Sequence, residues 1–167
     1  ALNDRFSEII GQSSSMQKIF QTIDRVAKTD ANVLLLGENG TGKELVARAI
    51  HRNSSRKTEN FVGVDLGSIT ETLFESELFG HEKGAFTGAD RRKIGKFEMA
   101  LGGTKFLDEI ATITEHTQIK LLQVLQDGSY NRVGGEDQLK TDARIIAATN
   151  ADLTQRTEKG LFRRDLF

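Results

Sequence analysis

The sequence contains neither cysteine nor proline. Without cysteine there is no disulfide framework and no thiolate metal site, a composition compatible with a cytosolic protein. Average usage would supply about eight prolines in a chain of this length. An excess of one charge is lacking as well. The 23 basic and 24 acidic residues leave a net charge of −1, so no global electrostatic attraction to nucleic acid or an anionic membrane is expected. No apolar run approaches the ~18 residues of a membrane span, and the N-terminal Ala1-Leu2-Asn3-Asp4-Arg5 lacks the apolar core of a signal peptide. His51, His81 and His116 share no ligand-like spacing and read as surface or hydrogen-bonding residues. At 167 residues the chain corresponds to about one domain with a single sizeable core. It begins without Met and ends on Phe167 with no stop signal for its last element, so it reads as a fragment.

What is present is a glycine-rich run, Gly37-Glu38-Asn39-Gly40-Thr41-Gly42-Lys43-Glu44, directly after apolar Val33-Leu34-Leu35-Leu36. Glycines at 37, 40 and 42 allow turns closed to residues with a Cβ, so backbone N–H groups can converge on phosphate oxygens. Lys43 adds a point charge for the terminal phosphates. The spacing is that of a P-loop, except that Glu44 stands where a Ser or Thr usually offers its hydroxyl to Mg²⁺. A tight strand-to-helix connection is the plainer alternative.

Around this run, Met16, Ile19, Phe20, Ile23, Val26 and Ala27 recur at helical spacing, with Ser14 and Gln17 as a capping box. Val33 to Leu36 reads as a strand apolar on both faces, as in a buried parallel sheet. Leu45, Val46, Ala49 and Ile50 form the inner stripe of the next helix. Asn53 to Asn60 is a loop, Phe61 to Asp65 a strand, Thr72 to Phe79 a helix and Thr104 to Asp108 a strand. Thr117 to Gln126 is a helix with Ile119, Leu122 and Leu125 aligned and Gly128 as its stop. Gly134-Gly135 can turn a hairpin, and Ala143 to Ala148 is a last buried strand. Strands alternating with helices predict an α/β fold with a parallel sheet sandwiched by helices.

Phe106-Leu107-Asp108-Glu109 supplies the second half of the nucleotide signal. Two carboxylates emerge at the C-terminal end of an apolar strand, where ligands of open α/β sheets bind. Asp108 suits Mg²⁺ held through water, and Glu109 would polarise the attacking water. Alone, the pair could equally cap the following segment. Lys105, odd in an apolar strand, is expected near the strand entrance with its head in water.

With these residues in place, the chain resembles the central AAA+ domain of bacterial enhancer-binding proteins, the ATPases that activate RNA polymerase carrying the sigma-54 factor. Glu77 to Ala89 contains an intact Gly84-Ala85-Phe86-Thr87-Gly88-Ala89 loop, close to diagnostic of that family. Gly102-Gly103-Thr104, Ala147-Ala148-Thr149-Asn150 and Phe162-Arg163-Arg164-Asp165-Leu166 also match. The family commonly carries Glu after its P-loop lysine, so Glu44 ceases to be anomalous. The resemblance implies a AAA+ P-loop NTPase core over residues 1–167, with the helical lid outside the span.

It also assigns roles. Residues 37–44, Asp108 and Asn150 would bind ATP and Mg²⁺, with Ile9, Ile10 and Gly11 beside the adenine and Asn150 sensing the γ-phosphate. Glu109 would be catalytic. Arg163 would be an arginine finger entering the neighbouring subunit of a ring, usually a hexamer; a surface salt-bridge arginine is the alternative. Phe86 and Thr87 would touch sigma-54 when hydrolysis raises the loop, although composition alone supports only a mobile loop with one exposed aromatic. DNA contacts would lie in a domain outside this span, in a bacterial cytoplasmic protein with no membrane partner. Asp65 stands where the family commonly has an Asn that bonds the catalytic Glu. A AAA+ remodeller with another client, or a nucleotide-sensing module with little turnover, are the rival readings.

Overall fold

The computed structural model describes residues 14–38, 42–164 and Leu166, with side chains from Gln17 onward. In chain order its elements are α1 (Ser14–Ala27), β1 (Val33–Leu36), α2 (Lys43–Arg52), β2 (Phe61–Asp65), α3 (Phe74–Phe79), α4 (Lys96–Met99), β3 (Thr104–Asp108), α5 (Glu115–Asp127), β4 (Ser129–Asn131), β5 (Gln138–Lys140), β6 (Arg144–Thr149) and α6 (Leu153–Glu158). β1, β6, β3 and β2 lie side by side in that order, all parallel, while β4 and β5 form a separate antiparallel hairpin around Gly134 and Gly135. Among the described residues, no helix is long and apolar enough to cross a membrane.

Alternation along the central strands sends side chains into two cores. Phe106, Ile146 and Ala148 pack with Phe20, Ile23 and Ala27 of α1 and Ala47, Ala49 and Ile50 of α2. On the other face Leu107 and Ile145 meet Leu78 and Phe79 of α3, Phe97 of α4 and Leu121 and Val124 of α5. Phe79 and Phe97 stack with ring centroids 5.5 Å apart, and Tyr130 closes the group at 5.8 and 6.0 Å.

Several expectations need correction. β1 is not buried on both faces: Val33 and Leu35 pack against the α1 and α2 core, whereas Leu34 and Leu36 on the opposite face are exposed among the described residues. Leu45 is exposed while Ala47 and His51 are buried, since α2 is wedged between α1 and the sheet. In α5 the inward residues are Thr117, Gln118, Leu121 and Val124, with Ile119 outside. The polar pair can enter because it is satisfied: Thr114 and Thr117 hydroxyls lie 3.0 Å apart, and Gln118 donates to the Ile113 and Leu161 carbonyls, each at 3.1 Å. The helix expected from Thr72 starts at Phe74, after a 3₁₀ turn over Glu71–Leu73. The capping role of Ser14 lies outside the described side chains. Lys105 is the largest departure. It is 0 % exposed, because β3 is a central strand covered on both faces and residue 105 shares the Leu107 side.

The histidines behave as hydrogen-bonding residues. His51 Nδ1 lies 2.7 Å from Thr104 Oγ1, His81 Nδ1 lies 2.6 Å from Ser76 Oγ, and His116 reaches the Glu75 carboxylate at 3.0 Å. The buried Arg144 is a structural pin at the start of β6. Its guanidinium donates to the carbonyls of Val26 (2.8 Å) and Ala27 (3.2 Å) at the end of α1 and of Ala31 (2.9 Å) in the connection to β1; the Val26 carbonyl also accepts from the Thr29 N–H and hydroxyl. Arg144→Met should therefore remove three hydrogen bonds and lower stability by about 2–4 kcal/mol, read as a shift in the urea midpoint; an unchanged midpoint would show that water replaces the guanidinium.

Candidate nucleotide site and partner loop

The parallel register brings the C-terminal ends of all four strands to one edge. Asp65 aligns with Asp108, Asp108 with Ala148, and Leu36 with Thr149. The glycine-rich run starts there, tied to β6 by the Gly37 N–H donating to the Thr149 carbonyl at 3.3 Å. Asn39, Gly40 and Thr41 lie outside the described residues, as do Ile9, Ile10 and Gly11. Gly42 takes φ 81°, a left-handed conformation suited to glycine, and starts α2 with no side-chain cap. A helix start of this kind presents backbone N–H groups and a positive dipole end to an anion. Lys43 reaches back across the run, its ammonium donating to the Gly37 and Glu38 carbonyls at 2.8 and 3.1 Å. Glu44 instead turns along α2 to Arg48, 3.2 Å away, so its carboxylate is directed down the helix.

Glu109 follows β3 with φ 58° and ψ 47°, the sole non-glycine residue at positive φ among those described. Such a backbone stores about 1–3 kcal/mol and persists only where its surroundings fix it. Here Asp108 Oδ1 accepts the Glu109 N–H at 2.9 Å, and the Glu109 carbonyl accepts from the Thr112 N–H (3.1 Å) and hydroxyl (2.8 Å). Burial raises the Glu109 carboxyl above the usual range; the charges of Asp108 and Asp65 add to this, and Lys43 opposes it. The lysine and three carboxylates thus share one electrostatic environment. Among the described residues no three carboxylate or imidazole groups form a ready metal cage. Mg²⁺ prefers one or two carboxylates and retained water, which Asp108 and its neighbour fit.

Asp65 does not bond Glu109. Its Oδ1 accepts the Gly67 N–H at 3.0 Å and caps the turn Leu66–Ser68. Gly67 sits between the two acids: a Cβ there would stand 3.3 Å from Asp65 Oδ1 and 3.4 Å from Glu109 Cγ. Asn150 is exposed just beyond β6. Arg163 lies against α5, its N–H donating to the buried Gln118 Oε1 at 2.8 Å.

Gly84 to Ala89 forms a closed excursion between α3 and α4. His81 and Lys93 exchange N–H···O bonds of 3.1 and 2.9 Å at its base, and Glu82 donates to Val133 of the hairpin connection at 3.0 Å. Inside it, Gly84 N–H donates to the Ala89 carbonyl at 2.8 Å and Ala89 N–H to Phe86 at 3.0 Å, with Gly84 and Gly88 at φ 81° and 93°. Ala89 is buried and Thr87 exposed. Phe86 is 39 % exposed, held edge-on against the His81 ring with centroids 4.8 Å apart. Arg132 braces the base through Glu82 (3.1 Å) and Glu98 (2.8 Å).

Residues 9–167 match the model of the sigma-54 interaction domain. The chain belongs to this family. It is 54% identical over 159 residues to the Nif-specific regulatory protein of Azotobacter vinelandii, covering 95% of this chain and 30% of that protein. It is 51% identical over 166 residues to the DNA-binding transcriptional regulator NtrC of Escherichia coli strain K12, covering 99% and 35%. The crystal structure of NtrX from Brucella abortus in complex with ATP superposes with a TM-score of 0.87 at 45% identity, over 96% of this chain and 36% of that one. The chain therefore spans about a third of the length of these relatives. Its parallel sheet and flanking helices are the AAA+ P-loop NTPase core expected of a sigma-54 interaction domain.

Sequence reasoning missed Gln118, Gly67 and Arg132 as supports of the site and loop. The available signals were weak: a glutamine inside an apolar helical stripe, a glycine two residues after a strand-end acid, and an arginine beside Gly134-Gly135. One consequence is measurable. Because the Asp65 charge helps raise the Glu109 carboxyl, Asp65→Asn should lower the Glu109 titration midpoint, followed by its carboxyl-carbon NMR shift. An unmoved midpoint would mean that the Asp65 charge does not reach Glu109.

Proposed function

We propose that this domain binds and hydrolyses ATP with Mg²⁺ and uses the change to drive Gly84–Ala89 against sigma-54 in RNA polymerase holoenzyme, remodelling the closed complex so that the promoter opens. The observation that carries the reading is the convergence of Lys43, Asp108 and Glu109 at one sheet edge, in a family whose relative NtrX has been crystallised with ATP and with ADP. Residues 37–44 cradle the phosphates, through backbone N–H groups and the Lys43 ammonium. Asp108 holds the metal, which when bound neutralises phosphate charge. Glu109 orients the attacking water and accepts its proton; a carboxyl raised above its usual range is the better base. Asn150, at the end of β6, senses the γ-phosphate, and Ile9, Ile10 and Gly11 flank the adenine.

Arg163 serves a neighbouring subunit in a ring, a hexamer in the complete protein, where an arginine finger contributes ~10³–10⁵ in rate. Asp65 modulates Glu109 through its charge. The isolated domain turns over slowly, and DNA contacts belong to other parts of the cytoplasmic regulator. Phe86 and Thr87 make the sigma-54 contact. Their support is geometric: an aromatic and a hydroxyl displayed at the tip of a braced excursion.

Two sets of variants test these assignments. Lys43→Ala is expected to lose most ATP affinity by calorimetry in Mg²⁺, whereas Glu109→Gln keeps binding and loses ~10²–10⁴-fold in phosphate release. Near-normal release by Glu109→Gln would remove it from its role. In the complete protein, Phe86→Ala and Thr87→Ala should leave ATPase activity largely intact while abolishing capture of sigma-54 with a transition-state analogue. Capture by both variants would assign the loop a different client.

A further inference from the structure

Gln118 is buried among the inward residues of α5, and its side-chain amide joins two separate stretches of main chain. Its Nε2 group donates to the Ile113 and Leu161 carbonyls, each at 3.1 Å, and its Oε1 accepts the Arg163 N–H at 2.8 Å. These partners fix the orientation of the amide, because a flipped amide would set N–H against N–H. Ile113 closes the 3₁₀ turn Ile110–Thr112, and Glu109 is the residue that starts it. Leu161 and Arg163 follow α6. One buried group thus ties the turn of Glu109 to the main chain of Arg163.

Two further contacts join the same stretches. Phe162 is buried with Ala111 and Leu153. Arg156 donates to the Ala111 carbonyl at 3.5 Å, and its own carbonyl accepts the N–H groups of Leu161 (2.9 Å) and Phe162 (3.3 Å). Apolar packing by Phe162 holds the segment against the turn but sets no direction for the residue that follows. Hydrogen bonds are directional, and those of Gln118 settle the main chain at position 163. A methionine would fill much the same volume without burying an amide and without that constraint.

We propose that Gln118 is a positioning residue for Arg163: by tying it to the Glu109 turn of the same subunit, Gln118 aims the guanidinium that this subunit lends to its neighbour. The proposal rests on the reading of Arg163 as an arginine finger acting in the adjacent site. A subunit lacking the Gln118 amide keeps its own Glu109, which Asp108 and Thr112 still hold. What it lends to the next subunit is a misaligned finger.

The complete protein, mixed subunit by subunit, tests this. Gln118→Met should keep ATP binding by calorimetry, which also shows that it folds. Its kcat should fall about 10²-fold, as for a small misplacement of a catalytic group, with KM for ATP nearly unchanged. Glu109→Gln subunits do not turn over but lend an intact finger. Mixing Gln118→Met with an excess of Glu109→Gln should therefore raise turnover per Gln118→Met site about tenfold or more. A merely structural defect stays within its own subunit and is not rescued. The mixture of Arg163→Ala with Glu109→Gln decides the finger reading separately. Rescue of Arg163→Ala without rescue of Gln118→Met overturns the positioning role and leaves the finger in place. Rescue of neither removes the finger, and the positioning role with it. Gln118→Asn, its amide withdrawn by one carbon, decides the matter through the same mixtures if Gln118→Met does not fold. An unchanged kcat in a folded variant overturns the proposal outright.

Discussion

Parallel strands cannot slip by one residue without turning every side chain to the opposite face, and the pairing of β3 with β2 and β6 inherits that rigidity. Phe106 must meet α1 and α2 while Leu107 meets α3, α4 and α5, so a shifted β3 would empty both cores at once. The same pairing sets Asp65 beside Asp108 and Asp108 beside Ala148, and the β1–β6 pairing sets Leu36 beside Thr149. The site is thereby a by-product of core packing. Its acids and its glycine-rich run are delivered to a common edge by hydrophobic residues that never touch a ligand.

Within that edge, strain and charge are concentrated on Glu109. Its left-handed backbone is held by Asp108 on one side and Thr112 on the other. Its carboxyl is kept high by burial and neighbouring acids and eased by Lys43. Gly67 keeps Asp65 and Glu109 apart without a hydrogen bond between them. The two acids therefore influence each other through space alone, a link that depends on ionic conditions.

The strands, the two-sided cover and the glycine-rich run were legible because each has a strong local signature: apolar runs, helical spacing, and glycines bunched before a lysine. The edges of that reading failed where tertiary context decides. Val33 to Leu36 has the composition of a strand covered on both faces, yet among the described residues helices cover only the Val33 and Leu35 side, and Leu34 and Leu36 are exposed. In α5, local spacing favoured Ile119, but the pull of the Ile113 and Leu161 carbonyls draws Gln118 inward. Lys105 was expected in water because a lysine ordinarily reaches it; nothing local reveals that both faces of β3 are roofed. Asp65 and Glu109 were recognised as neighbours, but the glycine between them and the backbone twist at Glu109 are visible only in three dimensions.

The base of the partner loop closes on two glycines. A Cβ on Gly95 would stand 2.3 Å from the Gly80 nitrogen, and one on Gly80 would stand 2.5 Å from the Lys93 carbonyl. Here main chain touches main chain, beside the side-chain ties of Arg132 to Glu82 and Glu98 and of Lys93 to Glu77. At these two glycines no rotamer can absorb a displacement, and the neck transmits it there as a rigid collar does. It also separates inheritance of mechanism from inheritance of specificity. The residues beyond the collar can be exchanged for others that recognise a different surface, while the collar itself admits no substitution.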